Sequence, residues 1–131
     1  MLQENVPSSK VIMFGLAEDL GSDSRRILSE QGHTVYSYPL MPVSDLLTLI
    51  DQIHPDFVFC ADAPGEYKLL LEAIRQKSSS LPLVVVSRQA DTAAWLDALQ
   101  AGASDYCAPP FESISIRWIL KSALASRAAA A

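Results

Sequence analysis

The chain has 131 residues, half of them apolar and 19% charged, which is the composition of one folded domain and not of a disordered, collagen-like or disulfide-stapled chain. Ten basic and fifteen acidic residues give a formal net charge of −5, which argues against a surface that neutralises nucleic-acid phosphates. No run is apolar and long enough to span a membrane, and the polar N-terminus lacks the order of a signal peptide, so we expect a cytoplasmic domain.

Five short runs rich in apolar and β-branched residues recur along the chain, each about one strand-and-helix unit after the last. They predict strands at Lys10–Phe14, Thr34–Tyr38, Phe57–Cys60, Leu83–Ser87 and Asp105–Ala108. In the fourth run, four apolar residues follow one another without a polar break. Such a run indicates a strand covered on both faces, as in the centre of a parallel sheet.

Segments with helical periodicity separate these strands. They predict helices at Ser22–Gln31, from a Ser44 cap through Ile53, at Glu66–Lys77, at Asp91–Ala101 and at Ser113–Ala125. Ser22 and Asp91 are expected to cap their helices, and Gly32 and Gly102 to end them. Parallel neighbours need a helix to return the chain. We therefore predict an α/β, flavodoxin-like three-layer sandwich with a five-stranded parallel sheet in the order 2-1-3-4-5.

The predicted domain covers residues 10–126, with an N-terminal tail at 1–9 and a C-terminal tail at 127–131. In the predicted strand order, the functional crevice lies at the carboxyl ends of the first and third strands. Candidate functional residues are therefore expected in the loops that follow Phe14, Cys60, Val86 and Ala108.

Common ligand motifs are missing from these loops. Gly15 and Gly21 are six residues apart, which fits neither a dinucleotide-binding nor a P-loop turn. His33 and His54 each precede a strand and so belong to the opposite edge of the sheet, where we expect surface or linker histidines and no metal site.

The two cysteines do not form a disulfide in the predicted sheet. Cys60 and Cys107 fall on the third and fifth strands, and two strand spacings place them about 9–10 Å apart. This separation exceeds the Cα distance of about 7 Å that a disulfide can bridge. We expect two free thiols in the core.

Several segments resemble the receiver domain of bacterial response regulators (CheY-like). The run from Ala101 to Tyr106, Ala-Gly-Ala-Ser-Asp-Tyr, followed by Pro110-Phe111, is fairly specific to that family. Further similar segments are Leu83–Arg88, Trp95–Gln100, His54–Cys60 and Glu30–Val35. The resemblance extends from about Lys10 to Leu124 and implies the receiver fold and a role in two-component signal transduction.

The resemblance also implies which residues would carry phosphoryl transfer, and most of them are replaced. A working receiver holds Mg2+ with an acidic pair after the first strand, accepts the phosphoryl group on an aspartate that ends the third, and uses a hydroxyl and a lysine beside it. The acidic pair is replaced by Gly15 and Leu16, the acceptor by Ala61 and the lysine by Pro109, while the hydroxyl of Ser87 and the switch aromatic Tyr106 remain. The family also leads us to expect a cis bond between Pro109 and Pro110.

Two alternatives stay open. Asp62 is a fallback acceptor, with Glu18 or Asp19 holding Mg2+, but strand alternation turns Asp62 to the face opposite Ala61. We expect these three carboxylates to be solvated loop charges. The other alternative is a flavodoxin-like domain that binds a small molecule in the same crevice, suggested by Ser87 and Arg88.

The favoured prediction is a pseudo-receiver that is not an enzyme, has no metal or other cofactor, and acts through protein contact. The expected surface, for a partner protein or for self-association, comprises the fourth helix, the fifth strand and the fifth helix. Trp118 falls off the apolar stripe of its helix and is expected to be exposed. Trp95, Leu99 and Trp118 are the candidate contact residues, and no nucleic-acid or membrane partner is expected.

Overall fold

Strands and helices alternate along the chain without exception in the computed structural model, which describes residues 7–77 and 80–130. The strands are β1 (Lys10–Phe14), β2 (Thr34–Tyr38), β3 (Phe57–Ala61), β4 (Leu83–Val86) and β5 (Asp105–Cys107). The helices are α1 (Glu18–Glu30), α2 (Val43–Ile53), α3 (Pro64–Gln76), α4 (Thr92–Ala101) and α5 (Ser113–Ala130).

The five strands form one parallel sheet in the order β2-β1-β3-β4-β5. Strand order and direction confirm the predicted flavodoxin-like fold. The uninterrupted apolar run of β4 is buried at every position, as expected for a strand covered on both faces.

The sheet separates two apolar cores. Alternate residues of β3 divide between them, with Val58 and Cys60 in one core and Phe57 and Phe59 in the other. The first core is covered by α2, α3 and α4, and we call this side the α3 face. The second core is covered by α1 and α5, and we call this side the α5 face. The three predicted layers are therefore present.

The first two helices begin differently from the prediction. α1 begins at Glu18, four residues before the predicted start, after an Ala17 that provides no side-chain cap. Two carboxylates in its first turn, Glu18 and Asp19, take the place of a capping hydroxyl, because negative charge is favourable at a helix N-terminus. α2 begins after Pro42, so Ser44 lies within the helix and does not cap it.

Other boundaries differ by fewer residues, apart from that of α5. α3 begins at Pro64 and ends at Gln76, β3 gains Ala61, and β4 and β5 each end one residue early. α5 continues to Ala130, five residues past its predicted end, through an alanine-rich segment of high helix propensity. Residues 1–6 of the predicted N-terminal tail and residue 131 lie outside the described residues. Across the ranges 7–77 and 80–130, no helix has the length and apolar content of a membrane crossing.

Candidate functional site

Backbone hydrogen bonds bring the loops at the carboxyl end of the sheet side by side. The Gly15 N–H donates to the Tyr38 carbonyl at 3.0 Å, and the Asp62 N–H donates to the Val86 carbonyl at 3.0 Å. The Ser87 N–H donates to the Cys107 carbonyl at 2.8 Å. The residues predicted from the sequence to mark the phosphoryl site therefore share one edge, which we call the carboxyl rim.

The end of β1 is apolar at the position of the expected acidic pair. Gly15 has φ +71, and a Cβ built on it would lie 3.1 Å from a Leu40 methyl group. The combination of positive φ and close packing favours glycine at this position. Leu16 is half-buried and packs against the core of the α5 face. Neither residue offers a side-chain oxygen.

The end of β3 carries one carboxylate, and that carboxylate is already hydrogen-bonded. Ala61 continues the alternation of Phe57 and Phe59 toward the α5 face, whereas Asp62 lies on the opposite side. The Tyr106 hydroxyl is 3.1 Å from Asp62 Oδ2 and 3.3 Å from the Gln89 carbonyl oxygen. Burial raises the pKa of the Tyr106 phenol, and the Asp62 carboxylate adds to the shift. Tyr106 therefore stays protonated and donates its hydrogen to these acceptors.

The Ser87 hydroxyl at the end of β4 bonds within its own turn. Ser87 is buried, and its Oγ donates to the Gln89 carbonyl at 3.0 Å while accepting from the Gln89 N–H at 3.3 Å. Local side-chain bonds of this kind stabilise turns. The hydroxyl thus helps to shape the loop after β4.

An ion pair joins the loops on either side of β3. Arg88, just after β4, contacts Asp19 of α1 through two bonds, Nη1 to Oδ2 at 2.7 Å and Nη2 to Oδ1 at 3.0 Å. Both side chains are more than half exposed. The Arg88 guanidinium lowers the pKa of Asp19 from 3.8 to about 2. Asp19 is therefore solvent-exposed, as expected, and in addition forms an ion pair with Arg88 that the sequence did not predict.

Pro109, which stands where the receiver family has a lysine, lies in the loop after β5. The bond between Pro109 and Pro110 is cis, as predicted. Pro109 has neither an ammonium group nor an N–H. Together with Asp91, Trp95 and Tyr106 it lines a cleft of about 300 Å3. This cleft lies between α4 and β5, beside the carboxyl rim.

The cysteines are free thiols, as predicted, and they lie on opposite faces of the sheet. Cys60 belongs to the core of the α3 face, and Cys107 packs against the core of the α5 face. Burial raises the pKa of each thiol to about 12. Both are protonated at neutral pH, which makes them weak nucleophiles and weak metal ligands.

Both histidines lie in the linkers that precede β2 and β3, as predicted, but they differ in burial. His33 is not a surface residue: it is buried, and its Nδ1 accepts a hydrogen bond from the Ser9 N–H at 3.1 Å. Burial lowers the pKa of His33 from its ordinary value. His54 is exposed and forms the left-handed C-cap of α2. Within the part of the chain that the structure describes, no three His, Cys, Asp or Glu side chains are grouped closely enough to hold a metal ion.

The candidate contact residues lie on α4 and α5. Trp118 is 61% exposed and Trp95 is 41% exposed, while Leu99 is half-buried. On α5, Ile116 and Leu120 face the core. The predicted position of Trp118, off the apolar stripe, is therefore the one observed, and its role stays a prediction.

Solved structures show the same fold as this chain. A candidate response regulator from Chloroflexus aurantiacus matches with a TM-score of 0.76 and 24% identity, over 90% of this chain and 98% of its own. A response regulator from Thermotoga maritima matches with a TM-score of 0.75 and 20% identity, over 90% of this chain and 98% of its own. NtrX from Brucella abortus matches with a TM-score of 0.75 and 20% identity, over 94% of this chain but 29% of its own. No protein-family model and no curated protein sequence matches the chain.

At these identities the likeness establishes the fold, which is that of response-regulator receiver domains. The structure adds contacts that the sequence did not predict: the Asp62–Tyr106 hydrogen bond and the Asp19–Arg88 ion pair. These pairs are 44 and 69 residues apart along the chain. Only the strand order, which brings the ends of β1, β3, β4 and β5 together, could have suggested them.

Proposed function

We propose that this chain is a receiver-fold domain that has lost phosphoryl transfer and acts in two-component signal transduction through protein contact. The observation that carries the proposal is the chemistry of the carboxyl rim. The positions at which the receiver family holds a metal ion and a phosphoryl group are occupied by Gly15, Leu16, Ala61 and Pro109. Introducing an aspartate at position 16 alone would not restore the site, because the half-buried Leu16 side chain packs against the core of the α5 face.

The residues of the rim do not fit a magnesium ion. Mg2+ requires near-octahedral oxygen ligands and is bound in proteins by one or more carboxylates. Asp62 lies on the side of β3 away from Ala61 and accepts a hydrogen bond from Tyr106. Asp19 is engaged in two hydrogen bonds with Arg88. Asp19 would have to share or give up its two hydrogen bonds with Arg88 to bind the ion. Asp62 and Asp19 also belong to opposite sides of the sheet, so the two carboxylates do not converge on one ion.

The same contacts argue against Asp62 as an acceptor. An attacking carboxylate must face the incoming phosphorus atom with cationic groups around the transferred oxygens. Asp62 has a phenol beside it, and the lysine position beyond β5 is Pro109. Arg88, the cation in the loop after β4, is paired with Asp19. We therefore assign no catalytic residue.

Protein contact is the function that the exposed side chains of this domain support best. The proposed contact surface consists of α4, β5 and α5, with Trp95 and Trp118 as its largest exposed side chains. Exposed tryptophan is costly in water and is enriched among the residues that dominate binding energy. The arrangement suits a domain whose output depends on which protein it touches.

Phosphoryl transfer is tested by intact-mass measurement after incubation of the full chain with acetyl phosphate and Mg2+. A response regulator that is phosphorylated under the same conditions serves as the positive control. We expect no gain in mass for this chain. A gain of one phosphoryl group that disappears in Asp62→Asn would replace this proposal with the Asp62 alternative, and a gain that persists in that variant would refute both.

A further inference from the structure

The outer surface of α5 carries a strip of apolar and cationic side chains. Ile114 and Trp118 are each 61% exposed, and with Arg117 and Lys121 they line a shallow cleft of about 220 Å3. At 100° per residue these four positions fall within about one third of the helix circumference. The Lys121 ammonium lies 5.3 Å from the centroid of the Trp118 ring, within cation–π range. We call this set of four residues the α5 strip.

The charge of α5 is opposite to that of the rest of the chain. Every charged residue within the α5 sequence is basic, and Glu112 stands just before the helix begins. The chain as a whole carries a net charge of −5. Since charges separated by more than about 8 Å are largely screened at physiological salt, a partner at the strip responds mainly to these nearby cations.

A complementary surface exists on α3 of the same chain. Leu69 is 58% exposed, and Glu66 and Glu72 lie three residues to either side of it, which places each carboxylate about 60° around the helix from the leucine. Neither glutamate has an ion-pair partner among the residues that the structure describes. We call this set of three residues the α3 strip.

Both cations within α3, Lys68 and Arg75, are engaged by α4. The Lys68 ammonium is 2.9 Å from Asp97 Oδ2, and the Arg75 guanidinium donates to the Ala101 carbonyl at the end of α4. α4 itself offers less to a cationic neighbour, because Asp97 is paired and Asp91 accepts hydrogen bonds from the first amides of its own helix. The α3 strip is therefore an acidic and apolar helix surface that complements the α5 strip, and it does so better than α4.

We propose that copies of this chain associate head to tail, with the α5 strip of one copy packed against the α3 strip of the next. Trp118 would contact Leu69, and the cations Arg117 and Lys121 would face the carboxylates Glu66 and Glu72. Because α3 and α5 cover opposite faces of the sheet, one copy cannot present both strips to a single neighbour. Contacts of this heterologous kind extend into an open chain of molecules or close into a larger ring, and they do not form a twofold dimer.

The inference goes beyond the proposed function and does not depend on it. Head-to-tail association requires only the two strips, so it would survive a demonstration that Asp62 is phosphorylated. Conversely, a monomeric chain without phosphoryl chemistry would leave the proposed function intact. Sedimentation velocity tests the association and intact-mass measurement tests the loss of phosphoryl transfer, so either proposal can be refuted without the other.

The test is sedimentation velocity of the full chain over a range of concentrations, with three variants. Trp118→Ala removes the largest apolar side chain of the α5 strip, and Leu69→Ala removes the apolar side chain of the α3 strip. Leu40→Ala is the control, because Leu40 lies outside both strips and is 58% exposed, like Leu69. We expect the average mass of the wild type and of Leu40→Ala to rise with concentration without a plateau at the dimer. Each strip variant alone should be at least tenfold weaker in self-association, because truncation of a central anchor typically has that effect.

Mixing the two strip variants decides between this arrangement and others. The Trp118→Ala copy retains an intact α3 strip and the Leu69→Ala copy an intact α5 strip, so an equimolar mixture should form a dimer that grows no further. The proposal would be overturned by a monomeric wild type or by a mixture that does not associate. It would also be overturned if the wild type formed only a dimer and Leu69→Ala left that dimerisation unchanged. Thermal melts of both variants establish that they are folded.

Discussion

The carboxyl rim and the outer surface of α5 depart from an average protein surface in opposite ways. At the rim, polar groups bond to one another: Asp19 with Arg88, Asp62 with Tyr106, and Ser87 with its own turn. On α5, the indole of Trp118 and the side chain of Ile114 are each 61% exposed. Reactive sites generally keep polar groups available to a substrate, whereas contact sites keep apolar groups available to a partner. The difference favours contact over chemistry as the function of this domain.

The strongest test of this contrast compares the inner and outer sides of α5. Leu120 is fully buried, so Leu120→Ala should lower the free energy of unfolding by about 2–5 kcal/mol. Trp118→Ala should change it by less than about 0.5 kcal/mol, because the indole is 61% exposed. Urea denaturation at low protein concentration measures both. Equal losses in the two variants would make Trp118 a packing residue and remove it from the contact surface.

A carboxylate introduced at the rim should cost stability. Leu16→Asp replaces a half-buried side chain of the core by a charged one, and we expect a loss of about 1–2 kcal/mol. The matched variant Leu16→Met keeps volume and polarity and should lose less than about 1 kcal/mol. If Leu16→Asp were as stable as the wild type and gained stability from Mg2+, the rim would be an open site and not part of the packed core.

The smallest effect concerns the ion pair across the rim. The Asp19 carboxyl should titrate with a pKa of about 2, and Arg88→Gln should return it toward 3.8. A carboxyl whose pKa is lower in the folded state contributes stability above its unfolded pKa and loses that contribution as the pH falls through about 2. The acid limb of the stability curve should therefore flatten in Arg88→Gln. An unchanged Asp19 titration, followed by carbon-detected NMR, would show that the pair does not form in solution.

The fold could be predicted because its signals are local and repeated. An unbroken apolar run marks β4, and Asp91 caps α4 through the Ala93 and Ala94 amides while Gly102 ends it in a left-handed conformation. The start of α1 could not be predicted from a capping residue, because Ala17 supplies none and the first-turn carboxylates act instead. Electrostatic stabilisation of a helix end leaves a weaker sequence pattern than a side-chain cap.

The candidate site was predictable as a set of positions but not as a set of contacts. Register in a parallel sheet places Gly15, Ala61 and Ser87 at one edge, and their sequence positions suffice to show this. That His33 is buried could not be foreseen, since its partner is a backbone N–H 24 residues earlier in the chain. The hydrogen bond that Asp62 accepts from Tyr106 likewise depends on side-chain directions that only coordinates supply.

The most direct test of the central claim uses beryllium fluoride, which mimics a bound phosphoryl group without requiring transfer. Amide NMR spectra of the uniformly labelled chain are recorded with Mg2+ alone and with Mg2+ and beryllium fluoride together. The absence of a metal and phosphoryl site at the carboxyl rim predicts that the Ala61, Asp62 and Ser87 amides keep their positions in both spectra. A second set of peaks at these residues that needs both reagents and vanishes in Asp62→Asn would contradict it.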